Sequence, residues 1–219
     1  MLTAMEPNPQ LSAVTVSATA RSGHPTDWSL TAYATCDSST VAPLRVVATV
    51  RSTSTAEADC PNGTLLVGTG FRLEGSVDRT YVDEVSFDAG LRKLRVHARG
   101  DVDPTSLTAL GVCASQTGPA GVRVGVDAGA DGTWPRTAVT GPPGPDVHVY
   151  GVGAIVTGQG EVFLSALASG PDLRLAVAEA VRASRLPGAP ATDRVGVTAA
   201  SGDDGATLTV AGVLLAAFH

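Results

Sequence analysis

One eight-residue pattern occurs three times. Ser29-Leu-Thr-Ala-Tyr-Ala-Thr-Cys36 lines up with Ser106-Leu-Thr-Ala-Leu-Gly-Val-Cys113, and again with Thr207-Leu-Thr-Val-Ala-Gly-Val-Leu214. The spacing is 77 positions (36 to 113) and then 101 (113 to 214). A second strand-like segment precedes each copy: Val14–Ala18, Leu94–Ala98 and Val195–Ala199. Further upstream, Val67-Gly-Thr-Gly-Phe-Arg-Leu73 matches Tyr150-Gly-Val-Gly-Ala-Ile-Val156. A repeated unit of alternating strands cannot bury its own apolar face, so its copies must pack on one another. The expected fold is therefore all-β, with antiparallel sheets from imperfect internal repeats arranged in a β-prism-like way. A β-sandwich is the alternative.

The repeat divides the chain into residues 1–37, a partial first repeat with its second half only, 38–140, a second repeat with connecting strands, and 141–219, a third repeat. All three are expected to share one compact domain. The first repeat has no G-x-G strand before it; either a half-unit is missing there or another segment fills its place. Candidate strands are Ala13–Ala20, Ser29–Cys36, Leu44–Val50, Thr64–Leu73, Tyr81–Phe87, Leu94–Ala98, Leu107–Val112, Val122–Val126, Val147–Val156, Val162–Leu167, Leu173–Ala178, Arg194–Ala199 and Ala206–Leu215. Turn formers separate them, among them Pro61-Asn-Gly63 and Gly202-Asp-Asp-Gly205. Leu173–Ser184 has helix-forming content, but the alternation from Asp172 onward favours a strand.

Hydrophobic residues make up 43% of the 219-residue chain and aromatics only 4%, so the core must be largely Val, Leu and Ala. The net charge is −6. No basic stripe is present, which argues against nucleic acid as a partner. The densest basic stretch, Arg92-Lys93-Leu94-Arg95 with Arg99, alternates with apolar residues as the wet face of one strand does. No apolar run approaches the roughly 20 residues of a membrane span. Met1–Gln10 lacks the basic and apolar regions of a signal peptide. Taken alone, that implies a chain that is not exported; the cysteines argue otherwise.

Cys60 opens the second repeat and Cys113 closes it. Their counterparts in the third are Pro143 and Leu214, so both cysteines are lost together. Paired loss predicts a Cys60–Cys113 disulfide, contributing about 3–4 kcal/mol in the chain-entropy picture. The alternative is a pair of buried thiols. A disulfide indicates an oxidising compartment, so the expected location is extracellular. Cys36 is left over, as a free thiol or a link to another chain.

The run Cys60-Pro-Asn-Gly-Thr-Leu-Leu-Val-Gly-Thr-Gly-Phe71, with the strand ending at Cys36, resembles a group of largely uncharacterised secreted actinobacterial all-β repeat proteins. Their units open with C-P-x-G-x-x-V-x-G-G-G and close with L-T-A-Y-A-x-C-A. The likeness covers the first two repeats well and the third in outline; Thr69 stands where the pattern has glycine. It implies secretion and a β-repeat fold, and no activity.

Motifs for chemistry are sparse. His24, His97, His148 and His219 fall in no metal-ligand spacing, and no G-x-S-x-G elbow is present. The Gly68-Thr-Gly70 and Gly151-Val-Gly153 pairs lack the third glycine of a dinucleotide fingerprint; in a strand such glycines serve a bulge or a close backbone approach. Asp78, Asp83, Glu84 and Asp88 cluster, but Asp83 and Glu84 are neighbours on a strand and face opposite ways unless a bulge intervenes. No metal and no cofactor is expected. For ligand binding, Trp134 with Asp131 and Arg136 in a Gly-rich loop is the leading set, because saccharide recognition pairs an aromatic face with polar groups.

The functional expectation is a non-enzymatic extracellular binding or structural module, with carbohydrate as the ligand class and a glycan or another protein as partner. One alternative is a secreted hydrolase or inhibitor with a loop-borne site. Another is a subunit of a surface assembly, or homo-oligomer, completed by strand exchange.

Overall fold

The computed structural model describes residues 1–19, 28–33, 43–75, 79–115, 120–127, 136–140, 147–157, 162–169, 175–182, 194–203 and 213–218. These residues form strands and turns, with no helix among them. The strands are β1 (Leu2–Pro7), β2 (Val14–Ala18), β3 (Trp28–Tyr33), β4 (Leu44–Arg51), β5 (Thr55–Asp59), β6 (Leu65–Glu74), β7 (Thr80–Phe87) and β8 (Lys93–Gly100). They continue as β9 (Ser106–Ala114), β10 (Ala120–Asp127), β11 (Arg136–Thr140), β12 (Val147–Thr157), β13 (Val162–Ser169), β14 (Ala176–Arg182), β15 (Arg194–Asp203) and β16 (Val213–Phe218).

Strands β1, β5 and β11 are not evident from hydrophobic alternation: β1 is buried at nearly every position and so shows no period of two, and β5 and β11 carry small inward side chains. Ala56 and Ala58 are the inward residues of β5. In β11 the inward residue is Ala138, 1% exposed, while Val139 is 49% exposed. Alanine at the inward positions mutes the period-2 signal on which strand reading relies.

The strands pair antiparallel in three sheets: β2-β1-β6-β9-β4, β5-β8-β7-β12-β15-β10, and β11-β14-β13-β16-β3. Each sheet places a hairpin (β1–β2, β7–β8 or β13–β14) beside a second pair (β6–β9, β12–β15 or β16–β3). The sheets meet at corners where edge strands consecutive in sequence contact each other: β4 with β5, β10 with β11, and β2 with β3. All three turn apolar residues into one cluster, including Leu2 and Phe71 from the first, Val85 and Ala154 from the second, and Leu164 and Ala178 from the third. The architecture is an all-β, prism-like arrangement of three antiparallel sheets around a shared core.

The registers correspond from sheet to sheet. Met5 faces Phe71, Val85 faces Ala154, and Leu167 faces Leu214. The leading hairpin strands carry bulges at matching places: Leu2/Ala4, Val82/Glu84 and Leu164/Ala166. One step before those bulges stand Met1, Tyr81 and Phe163, which pack together where the three sheets converge. The rings of Tyr81 and Phe163 lie 6.1 Å apart at an interplanar angle of 57°, a tilted aromatic contact. The hairpin turns match too. Asn8 Oδ1 accepts from the amides of Ser12 and Ala13, as Asp88 Oδ1 does from Arg92 and Lys93. Leu11 and Leu91 are left-handed at the same place, with φ of 55° and 52°.

The G-x-G strands behave as bulge and close-approach sites. Register shifts occur at Leu66/Gly68 and at Val149/Gly151. A Cβ on Gly70 would collide with the Met5 carbonyl oxygen and the Pro7 ring. Thr69, the departure from an all-glycine run, donates its hydroxyl to the Val152 carbonyl at 2.6 Å and ties β6 to β12.

Strand pairing corrects two expectations, the match of the Leu208 segment with Leu107 and that of Val195–Ala199 with Val14–Ala18 and Leu94–Ala98, whose place in the third sheet is taken by β14. Leu107 faces Leu73, Val195 faces Val156, and Leu30 faces Ala216. The counterpart of Leu107 is thus Leu30 on one side, as expected, and Val195 on the other, 88 positions on (107 to 195) rather than 101. The segment assigned to the closing role ends instead in β16, which lies between β13 and β3. That is the place held by β6 and β12 in the other sheets. Leu, Val and Ala alternate alike in most strands here, and side-chain pattern alone could not tell a closing strand from a repeat strand.

Cys60 and Cys113 are disulfide-bonded, with Cα atoms 5.7 Å apart, joining the segment before β6 to the end of β9. Replacing both by alanine should lower the unfolding free energy by about 4 kcal/mol for a bridge of this span. Urea titration with and without reductant checks this, the variant being insensitive to reductant. Gly70→Ala should cost about 1–3 kcal/mol through overpacking. The same titration reads it, and a cost near zero would show that β1 does not press on β6 as described.

Candidate functional site

Strand β8 alternates cleanly. Leu94, Val96 and Ala98 enter the core, and Lys93, Arg95, His97 and Arg99 point away from it. Opposite charges come from the flanking strands. Lys93 Nζ lies 2.8 Å from Glu57 Oε2 on β5, and Arg95 Nε lies 3.6 Å from Glu84 Oε1 on β7. The first pair is exposed and the second lies at the surface with Glu84 half-buried, so both contribute little to stability. The hydrogen bond and charge of Lys93 hold the Glu57 carboxyl below its ordinary value, and Glu57 in turn raises Lys93.

The next pair differs because of the β7 bulge. Val82 faces Ala98 and Glu84 faces His97, which leaves Asp83 as the extra residue. An extra residue re-aims its side chain, so Asp83 and Glu84 need not face opposite ways. The Asp83 carboxylate is 3% exposed and is gripped at both oxygens: Oδ1 lies 2.6 Å from His97 Nδ1, and Oδ2 lies 2.9 Å from Arg99 Nε. His97 and Arg99 are 26% and 40% exposed, so they roof the carboxylate and meet solvent themselves. Burial pushes the Asp83 carboxyl above the ordinary carboxylate range, against the pull of His97 and Arg99.

The other two sheets act as internal controls. Their bulge residues are Thr3 and Ser165, both buried. The residues at the position of His97 are Ser17, which faces Ala4, and Glu179, which faces Ala166. Ser165 Oγ donates to Glu179 Oε1 at 2.8 Å. The position of Arg99, opposite Tyr81, is held by Val181, in line with Phe163 in the third sheet. The bulge therefore accommodates uncharged side chains in two sheets, and the β7–β8 hairpin alone places a buried carboxylate between two cation-forming groups. Buried charge is costly and is concentrated at functional positions.

The residues singled out from sequence fall differently. Trp134 and Asp131 lie outside the described residues, as do Cys36, His24, His219 and Asp78. Arg136 opens β11 with its backbone opposite Ala180. His148 lies in β12 opposite Gly202. Asp88 is a turn cap, and Tyr81 is buried. Among the described residues no group of three or more His, Cys, Asp and Glu could hold a metal, and no helix is long and apolar enough to cross a membrane. The sequence carries a hint of one member only: aligning Val14-Thr-Val-Ser-Ala18 with Leu94-Arg-Val-His-Ala98 sets His97 against Ser17. The bulge that brings Asp83 to it has no such mark.

Comparison with known proteins finds no matching family model, no similar curated protein and no similar solved structure.

The triad should respond asymmetrically to mutation. Asp83→Ala removes the buried charge and leaves two groups that reach water, for a loss of about 1–2 kcal/mol. His97→Ala with Arg99→Ala strands the carboxylate, for about 3–5 kcal/mol. A carboxyl raised in the folded state contributes stability present below its unfolded value and lost as pH rises through its folded value. The double variant should therefore regain stability on acidification toward about pH 4. Urea titrations at several pH values check both the order and the sign.

Proposed function

We propose that this protein is a non-enzymatic extracellular binding module, built as a threefold internal repeat, whose ligand contacts the outward face of the β7–β8 hairpin. The observation that carries this reading is the Asp83–His97–Arg99 triad, set where the equivalent bulges hold uncharged residues. A fold satisfied by Ser165 or Thr3 at this point does not require a buried carboxylate, and binding is a reason to keep one. The Cys60–Cys113 bond supports an oxidising, extracellular setting. The resemblance to secreted repeat proteins points the same way.

Carbohydrate is the ligand class we favour. A fixed imidazole and guanidinium offer directed hydrogen bonds at a solvent-facing surface, and a stapled β-scaffold holds them with little entropy left to lose on binding. The Asp83–His97 contact also resembles half of a hydrolytic triad. Among the described residues, however, no hydroxyl or thiol is hydrogen-bonded to His97, and such chemistry would need a nucleophile beside it.

A glycan array probed with the wild type, His97→Ala and Trp134→Ala tests the reading and its location. Selective binding lost in His97→Ala and kept in Trp134→Ala is the expected result. Loss in Trp134→Ala alone would move the site to the loop, and the absence of selective binding in the wild type would overturn the carbohydrate assignment.

A further inference from the structure

The threefold repeat is incomplete at one corner, where it leaves two strand edges open. In the first sheet β4 covers the outer edge of β9, and in the second β10 covers that of β15. Likewise β5 covers β8, and β11 covers β14. These covering strands come in consecutive pairs. Strands β4 and β5 lie within residues 34–64, which link β3 to β6, and β10 and β11 lie within residues 115–146, which link β9 to β12. At the corresponding place, between β15 and β16, the chain has only residues 204–212. That length falls short of two strands of about five or six residues with a turn between them. Among the described residues β2 pairs only with β1 and β3 only with β16, and β2 and β3 adjoin at one corner.

Two observations single out the β3 edge. Ser29-Leu-Thr-Ala32 repeats Ser106-Leu-Thr-Ala109 residue for residue. Beneath β4 the second set is buried throughout, with Thr108 2% and Ala109 0% exposed. In β3 the residues Ser29, Thr31 and Ala32 are exposed, and Leu30 is half-buried against the core. The second observation is charge. Sheet edges are normally guarded by charged side chains. The outermost strands at the other corners carry them: Arg45 and Arg51 on β4, Glu57 and Asp59 on β5, Arg123 and Asp127 on β10, and Arg136 on β11. Strands β2 and β3 carry none.

We propose that a second copy of this chain covers the open edge, β3 pairing antiparallel with β3 about a two-fold axis at Thr31. An uncharged strand presents no like charge to its own copy. With the axis at Thr31, Leu30 faces Ala32 of the second copy on the core side, an aliphatic pair like Val50 with Leu107 and Ala48 with Ala109 in β4–β9. The central pair is Thr31 with Thr31 of the second copy. The first sheet already contains that contact: Thr49 faces Thr108, the counterpart of Thr31, and their hydroxyl oxygens lie 3.0 Å apart. Strand β3 thus carries both halves of an antiparallel pair in use elsewhere in the fold. A two-fold contact of this kind closes at two subunits and does not run on into a fibre. A six-residue strand buries less than a standard interface, so the dimer is reversible. It uses no residue of the β7–β8 face and holds or fails apart from the ligand reading.

Sedimentation equilibrium of the full chain, from about 1 µM to about 1 mM, tests the dimer. A monomer–dimer equilibrium is expected. Thr31→Lys and Thr31→Asp should each weaken it about tenfold, because each sets two like charges directly opposite on the axis, with circular dichroism unchanged. Mixing the two variants in equal amounts should restore the dimer, since opposite charges then meet on the axis. Thr15→Lys, on the neighbouring β2 edge, should leave it intact. A chain that stays monomeric throughout would overturn the proposal. So would a dimer that tolerates both Thr31 variants, one that equal mixing fails to restore, or one dissociated by Thr15→Lys alone.

Discussion

Every sheet in this protein has one apolar face and no helix among the described residues to cover it, so each must be covered by the other two. That mutual dependence explains the prism. A core made of Val, Leu and Ala, with few aromatics, suits a narrow space between flat surfaces. The same need explains why β16 joins β13 to β3. Without it the third sheet would be left with two unpaired strand edges and a gap over the shared core, and open edges invite pairing with other chains.

Closing three sheets around one axis also fixes where the backbone cannot stay regular. The strands that converge on the axis carry bulges at corresponding steps, and glycines occur where one strand presses on another, as Gly70 does against Met5. A bulge is a point where an extra side chain must go somewhere. In two sheets it is a threonine or serine satisfied at little cost. In the third it is Asp83, buried and held by His97 and Arg99. The fold thus supplies three equivalent positions, and the chain has placed charge at one of them.

The disulfide reinforces the same hairpin. The Cys60 amide donates to the Arg92 carbonyl at 2.7 Å, and the Leu66 amide donates to the Leu91 carbonyl at 2.6 Å, so the turn between β7 and β8 is docked on the segment bonded to Cys113. The strands that display His97 and Arg99 are therefore held at their turn end by a covalently anchored neighbour. Side chains held with so little freedom would suit the binding role proposed for this face, because little entropy is left to lose on contact.

By itself the sequence determined the all-β class, the greater part of the strands, the Cys60–Cys113 pairing and the structural role of the G-x-G strands. Alternation, turn residues and the joint loss of two cysteines are local or pairwise signals that survive in one dimension. It also set His97 against Ser17, a hint of the site. Only the tertiary structure decided that Val195, not the segment from Leu208, is the counterpart of Leu107, because a strand's place in a sheet depends on its partners and not on its own pattern. Only the tertiary structure joined Asp83 to His97 and Arg99, because a one-residue bulge changes where a side chain points and leaves no trace in the order of residues.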